Sequence, residues 1–334
     1  MTEPHPASVI AEIGSVHDGS LGNARALVRL AARCGADVVK FQMHIAAAET
    51  TADAPSPSYF SGEPRMAYFE RTAFTQDQWG EIVAECDAVG VEFLCSAFSV
   101  AAVERLEALG VRRHKVASGE VTNVPLLEAM AATGKPVLLS SGMSDWAELD
   151  RAVATLGDDV IVMQCSSQYP CTDEQVGLNV LVEMAARYGR PVGYSDHTNG
   201  SAAAFAAVAL GAVAVEKHLT FSRAMYGSDA ANAMEPADFS GLVAGIRSIS
   251  TMLAHPVDKD DVTPYRDMKA IFEKSVVALV PIAAGTTITR DMVDVKKPGT
   301  GIPAARLADV VGSTAVADLR ADQVVAPADL GWSA

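Results

Sequence analysis

Between residues 9 and 218 the chain repeats one unit eight times: a short apolar run rich in β-branched residues, then a segment of helical period. The runs are 9–14, 38–42, 92–98, 113–118, 136–141, 160–166, 191–197 and 212–218. The segments 23–34, 76–89, 101–109, 124–132, 146–156, 179–188 and 201–210, with 237–253 after the last run, carry the spacing of an amphipathic helix. Gly35, Gly90, Gly110, Gly134, Gly189 and Gly211 follow such segments, where glycine accepts the left-handed conformation that stops a helix. Eight successive βα units predict a closed TIM (β/α)8 barrel. A doubly wound open sheet is the alternative. The count of eight and the lack of a GxGxxG after the first run weigh against it.

The spacing breaks once, over residues 43–75, which hold Pro55, Pro57, Tyr59, Phe60, Pro64, Tyr68 and Phe69. A loop of this length on the C-terminal face of a barrel is either a wall of the substrate pocket or a packing excursion, and both readings stand. After residue 254 the pattern changes. Residues 255–274 read as a linker rich in Asp, Pro and Lys, and residues 275–334 as a small β-rich module with strand-like runs at 274–280, 286–288 and 293–296. The catalytic barrel is then 1–254. A module this small is marginal alone and is expected to lean on a partner surface.

Charge and composition exclude several classes. The net charge of −15 argues against nucleic acid and anionic membranes as partners. Hydrophobic residues at 49% supply a core and exclude a largely disordered chain. The apolar stretch 201–214 is too short to span a bilayer. Cys34, Cys86, Cys95, Cys165 and Cys171 form no CxxC pair, and residues 1–8 lack a signal-peptide pattern. A reduced, cytoplasmic protein is expected.

In a barrel the strand C-termini line the active face. Those ends carry Glu12, Lys40 and Gln42, Ser96, Lys115 and Ser118, Ser140, Ser195 and His197, and Glu216 and His218. Period-two alternation puts Lys40 with Gln42, Ser195 with His197, and Glu216 with His218 on common faces. Charges pointing into a barrel are costly without partners or ligands, so this concentration points to a catalytic site. The lysines and hydroxyls suit phosphate and carboxylate oxygens. His197 and His218, on neighbouring strands, either share a divalent ion or hydrogen-bond at the rim. A third strong protein ligand is not evident, and Glu12 could hold a metal-bound water.

These residues resemble the sialic acid synthase family, the phosphoenolpyruvate-condensing synthases of nonulosonic acids. The motifs are Ala11-Glu12-Ile13-Gly14 with His17-Asp18-Gly19; residues 35–42, ending Lys40-Phe41-Gln42; and Lys115-Val116-Ala117-Ser118-Gly119-Glu120. Further along come Ser140-Ser141-Gly142-Met143, Tyr169-Pro170, Tyr194-Ser195-Asp196-His197-Thr198, and Glu216-Lys217-His218. The tail 295–302 resembles that family's antifreeze-like SAF module. The resemblance implies a domain-swapped homodimer in which each module caps the partner's barrel. It implies a divalent metal on His197 and His218, with Mn²⁺ first and Mg²⁺ or Co²⁺ as alternatives. It implies phosphoenolpyruvate on Lys40, Ser96, Lys115, Ser118, Ser140 and Ser195, and an aldose near Gln42, Tyr169, Asp229 and Lys297. Glu12, Glu216 and His218 fall at catalytic positions. In the implied reaction C3 of phosphoenolpyruvate attacks a metal-polarised aldehyde, water adds at C2, and phosphate leaves by C–O cleavage.

The sequence departs from the family pattern at Val16-His17-Asp18-Gly19, Gly227-Ser228-Asp229-Ala230 and Lys296-Lys297-Pro298-Gly299. These positions belong to the acceptor side, so the chemistry is expected to be kept, with N-acetylmannosamine or a related amino or deoxy sugar as the acceptor. Two other classes compete: a Schiff-base pyruvate aldolase with Lys115 as the amine nucleophile, and a non-catalytic carbohydrate-binding barrel.

Overall fold

The structure, a computed structural model, describes residues 6–55, 63–168, 170–227 and 229–333. The chain divides into two compact units, Met1–Pro256 and Val257–Ala334.

The first unit alternates strands and helices. In chain order these are β1 (Ser8–Gly14), α1 (Leu21–Arg33), β2 (Val38–Met43), α2 (Ala46–Glu49), α3 (Arg65–Thr72), α4 (Gln76–Val89), β3 (Glu92–Ala97) and α5 (Val100–Ala108). They continue with β4 (His114–Val116), α6 (Val124–Ala131), β5 (Val137–Ser140), α7 (Trp146–Leu156), β6 (Val160–Cys165) and α8 (Leu178–Tyr188). The last are β7 (Val192–Asp196), α9 (Ala202–Ala209), β8 (Ala214–His218) and α10 (Pro236–Ala254). All eight strands pair in parallel, and β1 closes the barrel on β8, as the eightfold repeat requires.

Helix ends follow their local chemistry. Thr75 and Gln78 form a capping box at the start of α4, and Asp145 and Glu148 do the same for α7. The six glycines read as helix stops all have positive φ; Gly90, at φ 76°, takes the left-handed cap directly after α4. The main core lies between barrel and helices, drawing Val9, Ala11 and Ile13 from the outer face of β1 and Leu27, Val28 and Ala31 from α1.

Inside the barrel the residues alternate the other way. Ile10, Val38, Leu94, Leu138, Met163 and Ala214 form a separate apolar cluster, a floor that leaves the layer above it to polar side chains.

In the second unit, α11 (Arg266–Phe272) precedes β9 (Ser275–Ala278), which pairs antiparallel with β10 (Val293–Lys296); α12 (Leu307–Val310) follows. The stretch read as a linker therefore contains a helix. Of the strand-like run 286–288, only Thr287 makes an isolated bridge, to Thr314. This unit has its own core of Val276, Ala278, Ile282, Ile288, Val293 and others. Among the described residues, no helix is long and apolar enough to cross a membrane.

Candidate active site

The strand register lifts charged and hydroxyl side chains into one layer above the floor. Glu12 is level with Lys40, Gln42 with Ser96, Ser96 with Lys115, and Ser195 with Glu216. Together they line a cavity of about 430 Å³.

Its centre is a balanced cluster of two ammonium groups and two carboxylates, all buried. Lys40 Nζ lies 3.2 Å from Glu12 Oε2 and 3.1 Å from Glu216 Oε1, and donates to Ser96 Oγ at 3.2 Å. Lys115 Nζ donates to Ser140 Oγ at 2.6 Å and to the Val116 carbonyl at 3.2 Å, and lies 3.8 Å from Glu216 Oε2. Ser195 Oγ donates to Glu216 Oε1 at 3.4 Å, and Ser118 Oγ to Cys165 Sγ at 3.5 Å. Opposite charge offsets part of the cost of burying each ion.

The two carboxyls are pushed in opposite directions. Burial raises Glu12 well above the usual carboxylate range, and Lys40 opposes this only in part. Burial acts on Glu216 too, but Lys115 and Lys40 overcome it and hold Glu216 below the usual range. Neighbouring carboxyls driven apart in this way suit separate roles, one proton-exchanging and one permanently charged.

The histidine pair stands beside this cluster, with ring centroids 5.6 Å apart. His197 donates Nδ1–H to the Ser166 carbonyl at 2.9 Å, which leaves Nε2 as the nitrogen open to a metal. Burial lowers its pKa, but Cys165, that carbonyl and Glu216 together raise it above the usual imidazole value, so a metal there has a proton to displace. Burial, its largest influence, pushes His218 down to about 4, so this imidazole is neutral near pH 7 as a metal ligand must be. These donors fit a divalent ion with open positions. Among the described residues no group of three or more His, Cys, Asp or Glu side chains is arranged for a metal.

The long excursion after β2 forms part of the cavity wall. Arg65, Tyr68 and Phe69 of α3 line it, and Tyr68 donates its hydroxyl to Ser15 Oγ at 2.8 Å. Ser15 in turn donates from both N and Oγ to Asp229 Oδ2, each at 2.9 Å. Gly14 runs so close to Asp229 that a Cβ there would collide with the carboxylate. The packing reading of the excursion holds alongside, since Tyr68 and Phe69 also pack with Ala46.

The cavity thus collects Glu12, Lys40, Gln42, Ser96, Lys115, Ser118, Ser140, Ser195, His197, Glu216, His218 and Asp229. Lys297 belongs to the second unit, where its ammonium lies 5.1 Å from the Phe272 ring centroid. Tyr169 lies outside the described residues, as does Ser228. His17, singled out with the first strand, packs against Phe74 at 4.6 Å and Phe41 at 6.0 Å, and its Nδ1 accepts from the Gly19 amide. It serves the core behind the barrel.

Sequence reasoning missed His44, Phe98 and Cys165, all of which line the cavity. The signal for His44 was present: the alternation that joins Lys40 to Gln42 continues to residue 44.

Comparison with known proteins agrees with this architecture. The NeuB family matches residues 27–258 and the SAF domain residues 273–331. Human N-acetylneuraminate-9-phosphate synthase is 34% identical over 331 residues, covering 96% of this chain and 92% of that one. The N,N'-diacetyllegionaminic acid synthase of Campylobacter jejuni is 30% identical, covering 95% and 98%. The crystal structure of N-acetylneuraminic acid (sialic acid) synthetase from Leptospira borgpetersenii, in complex with citrate, superposes with a TM-score of 0.71 at 27% identity, covering 80% of this chain and 91% of that one. With a matching barrel, a matching C-terminal domain and relatives aligned along nearly its whole length, the chain belongs to the NeuB, or sialic acid synthase, family.

Proposed function

We propose that this protein condenses phosphoenolpyruvate with an aldose, an N-acetylmannosamine-type amino or deoxy sugar, to give a nonulosonic 2-keto-3-deoxy acid and phosphate. The observation that carries this reading is the pairing, within one cavity, of two buried lysines among serine hydroxyls with two imidazoles and a carboxyl of raised pKa. The relatives are named synthases of N-acetylneuraminate phosphate, legionaminic acid and pseudaminic acid, which supports the product class.

Lys40 and Lys115 neutralise the carboxylate and phosphate of phosphoenolpyruvate, and Ser96, Ser118, Ser140 and Ser195 orient their oxygens. Glu216, held ionised by both lysines, keeps the ammonium groups in place. C3 of phosphoenolpyruvate forms a bond to the aldehyde carbon, whose oxygen takes the proton that Glu12 carries. Water then adds at C2 and gives a proton to Glu12, the carboxyl suited to exchange one near neutral pH. The C2–O bond to phosphate then breaks, its electron pair leaving with the phosphate, which takes the C2 hydroxyl proton and leaves the 2-keto group. His197 and His218 would hold a divalent ion, Mn²⁺ in the first instance; when bound, it supplies Lewis-acid polarisation of the aldehyde. Gln42, Asp229 and Tyr169 belong to the acceptor side, and Lys297 reaches it from a partner's SAF domain in a swapped homodimer.

The test is phosphate release and product mass spectrometry from phosphoenolpyruvate, Mn²⁺ and a panel of N-acylated hexosamines and deoxy sugars. A product with the mass of the condensed acid, lost with chelator, is expected. No product with any aldose overturns the reading. Light scattering tests the dimer. Burial also lowers the pKa of Lys115, as an amine nucleophile needs, which keeps the Schiff-base aldolase as a second reading. Borohydride with pyruvate would trap an adduct at Lys115 in that case alone.

A further inference from the structure

His44, just beyond β2, has a geometry that the mechanism above does not use. Its ring is sandwiched between Phe69 of α3 and Phe98 after β3, at centroid distances of 3.9 and 4.1 Å and interplanar angles of 12° and 18°. Two parallel faces leave the imidazole no room to tilt, so its two nitrogens are aimed. Nδ1 meets Glu49 Oε1 at 2.6 Å, and Glu49 is itself held by the Ile45 amide at 3.2 Å. Nε2 meets Gln42 Oε1 at 3.2 Å. On its other side, Gln42 donates Nε2–H to Glu12 Oε1 at 2.7 Å.

An amide has one donating and one accepting end. If nothing fixed the accepting end, Gln42 could turn and present its carbonyl oxygen to Glu12, a repulsive contact for an ionised carboxylate. Both His44 nitrogens face acceptor oxygens, the Glu49 carboxylate at Nδ1 and the Gln42 carbonyl at Nε2, which is the arrangement of an imidazolium donating from both. Its Nε2–H makes that turn costly, because it would face N–H with NH₂. The chain Glu49, His44, Gln42, Glu12 therefore transmits an orientation from the cavity wall to the proton-exchanging carboxyl.

We propose that His44 is a positioning residue for the condensation: clamped by Phe69 and Phe98 and anchored on Glu49, it locks the Gln42 amide so that its NH₂ always faces Glu12. This rests on the synthase reading for the role of Glu12, while the orientation itself is a property of the protein without substrate. Phe69 comes from the excursion after β2, so that segment sets the orientation of Glu12 as well as enclosing substrate.

The experiment pairs two variants with two readouts. His44→Phe keeps the aromatic stack and removes both nitrogens. His44→Gln restores a donor near the position of Nε2. For His44→Phe, kcat is expected to fall at least tenfold with KM for phosphoenolpyruvate within about twofold, and His44→Gln is expected to recover most of the loss. In ¹⁵N spectra, the side-chain NH₂ of Gln42, assigned by its disappearance in Gln42→Glu, is expected to be protected from exchange in the wild type and in His44→Gln but not in His44→Phe. Wild-type turnover in His44→Phe, equal losses in both variants, or full amide protection in His44→Phe would each overturn the proposal. A wild-type chain that turns over no aldose would overturn the synthase reading instead, and the amide spectra would still decide whether His44 locks Gln42.

Discussion

His17 shows how a histidine beside an active site can belong to the fold alone. Burial pushes it from 6.5 down to about 4, against a smaller opposing pull from Asp229. The neutral ring accepts the Gly19 amide through Nδ1, which an imidazolium cannot do. The sign of the resulting pH dependence follows. Below pH 6.5 the unfolded chain binds a proton that the folded ring refuses, so stability is full above that value and declines as pH falls toward 4. The whole shift corresponds to about 3 kcal/mol. In His17→Asn, whose amide oxygen can take over the Gly19 contact, denaturant unfolding is expected to lose less stability than the wild type between about pH 7 and about pH 4.5. Identical losses would place the acid sensitivity elsewhere. The same imidazole type at the end of the adjoining strand β8, at His218, is also neutral through burial but sits in the cavity. Burial alone does not distinguish the two roles; what each ring faces does, the Phe41 and Phe74 rings for His17 in the turn after β1 and the cavity for His218 on β8.

At the scale of elements, alternation along the strands was the most legible feature. It put Lys40, Ser195, Glu216 and His218 inward, and the structure places them around one cavity. By the same rule Asp196 and Lys217 point outward, and the sequence offered no account of a charge there. They turn out to be a buried ion pair at 2.7 Å, with Lys217 also donating to the carbonyls of Thr198 and Gly200 at 2.5 and 2.9 Å. Asp196 accepts the Thr198 amide at 2.9 Å. This pair fastens the turn after β7 and so fixes His197 at its start. Asp196→Leu leaves an uncompensated ammonium and is expected to cost about 3–5 kcal/mol in urea unfolding. The double variant Asp196→Leu with Lys217→Met is expected to cost less than the single one, because it buries no lone charge. A double variant worse than the single one would show that packing, and not charge, dominates there. What sequence could not supply has a common cause. The sandwich around His44 joins residues from just beyond β2, from α3 and from the turn after β3, and run 286–288 makes an isolated bridge where a ladder was expected. Periodicity describes one element at a time, and these features arise only where elements meet.

For the whole molecule, net charge and local charge pull in opposite senses. A chain of charge −15 repels an anion such as phosphoenolpyruvate at long range, yet the cavity sets two buried ammonium groups against Glu216, held ionised, and Glu12, whose raised pKa of about 7 leaves it protonated in part. These effects respond differently to salt. Many of the carboxylates are exposed, Glu81, Asp158 and Asp322 among them, and their field is screened as the Debye length shrinks from about 30 Å at 0.01 M to about 8 Å at 0.15 M. Lys40 and Lys115, 3% and 1% exposed, are screened far less than surface charges. Raising ionic strength therefore weakens the repulsion on approach and leaves the attraction at the site nearly intact. Over that range, kcat/KM for phosphoenolpyruvate is expected to hold level or rise by up to a few-fold. Steady-state kinetics at constant free Mn²⁺ checks this. A fall of tenfold or more would mean that an exposed basic field steers the substrate, and the anion site would then have to include cations outside the barrel's polar layer.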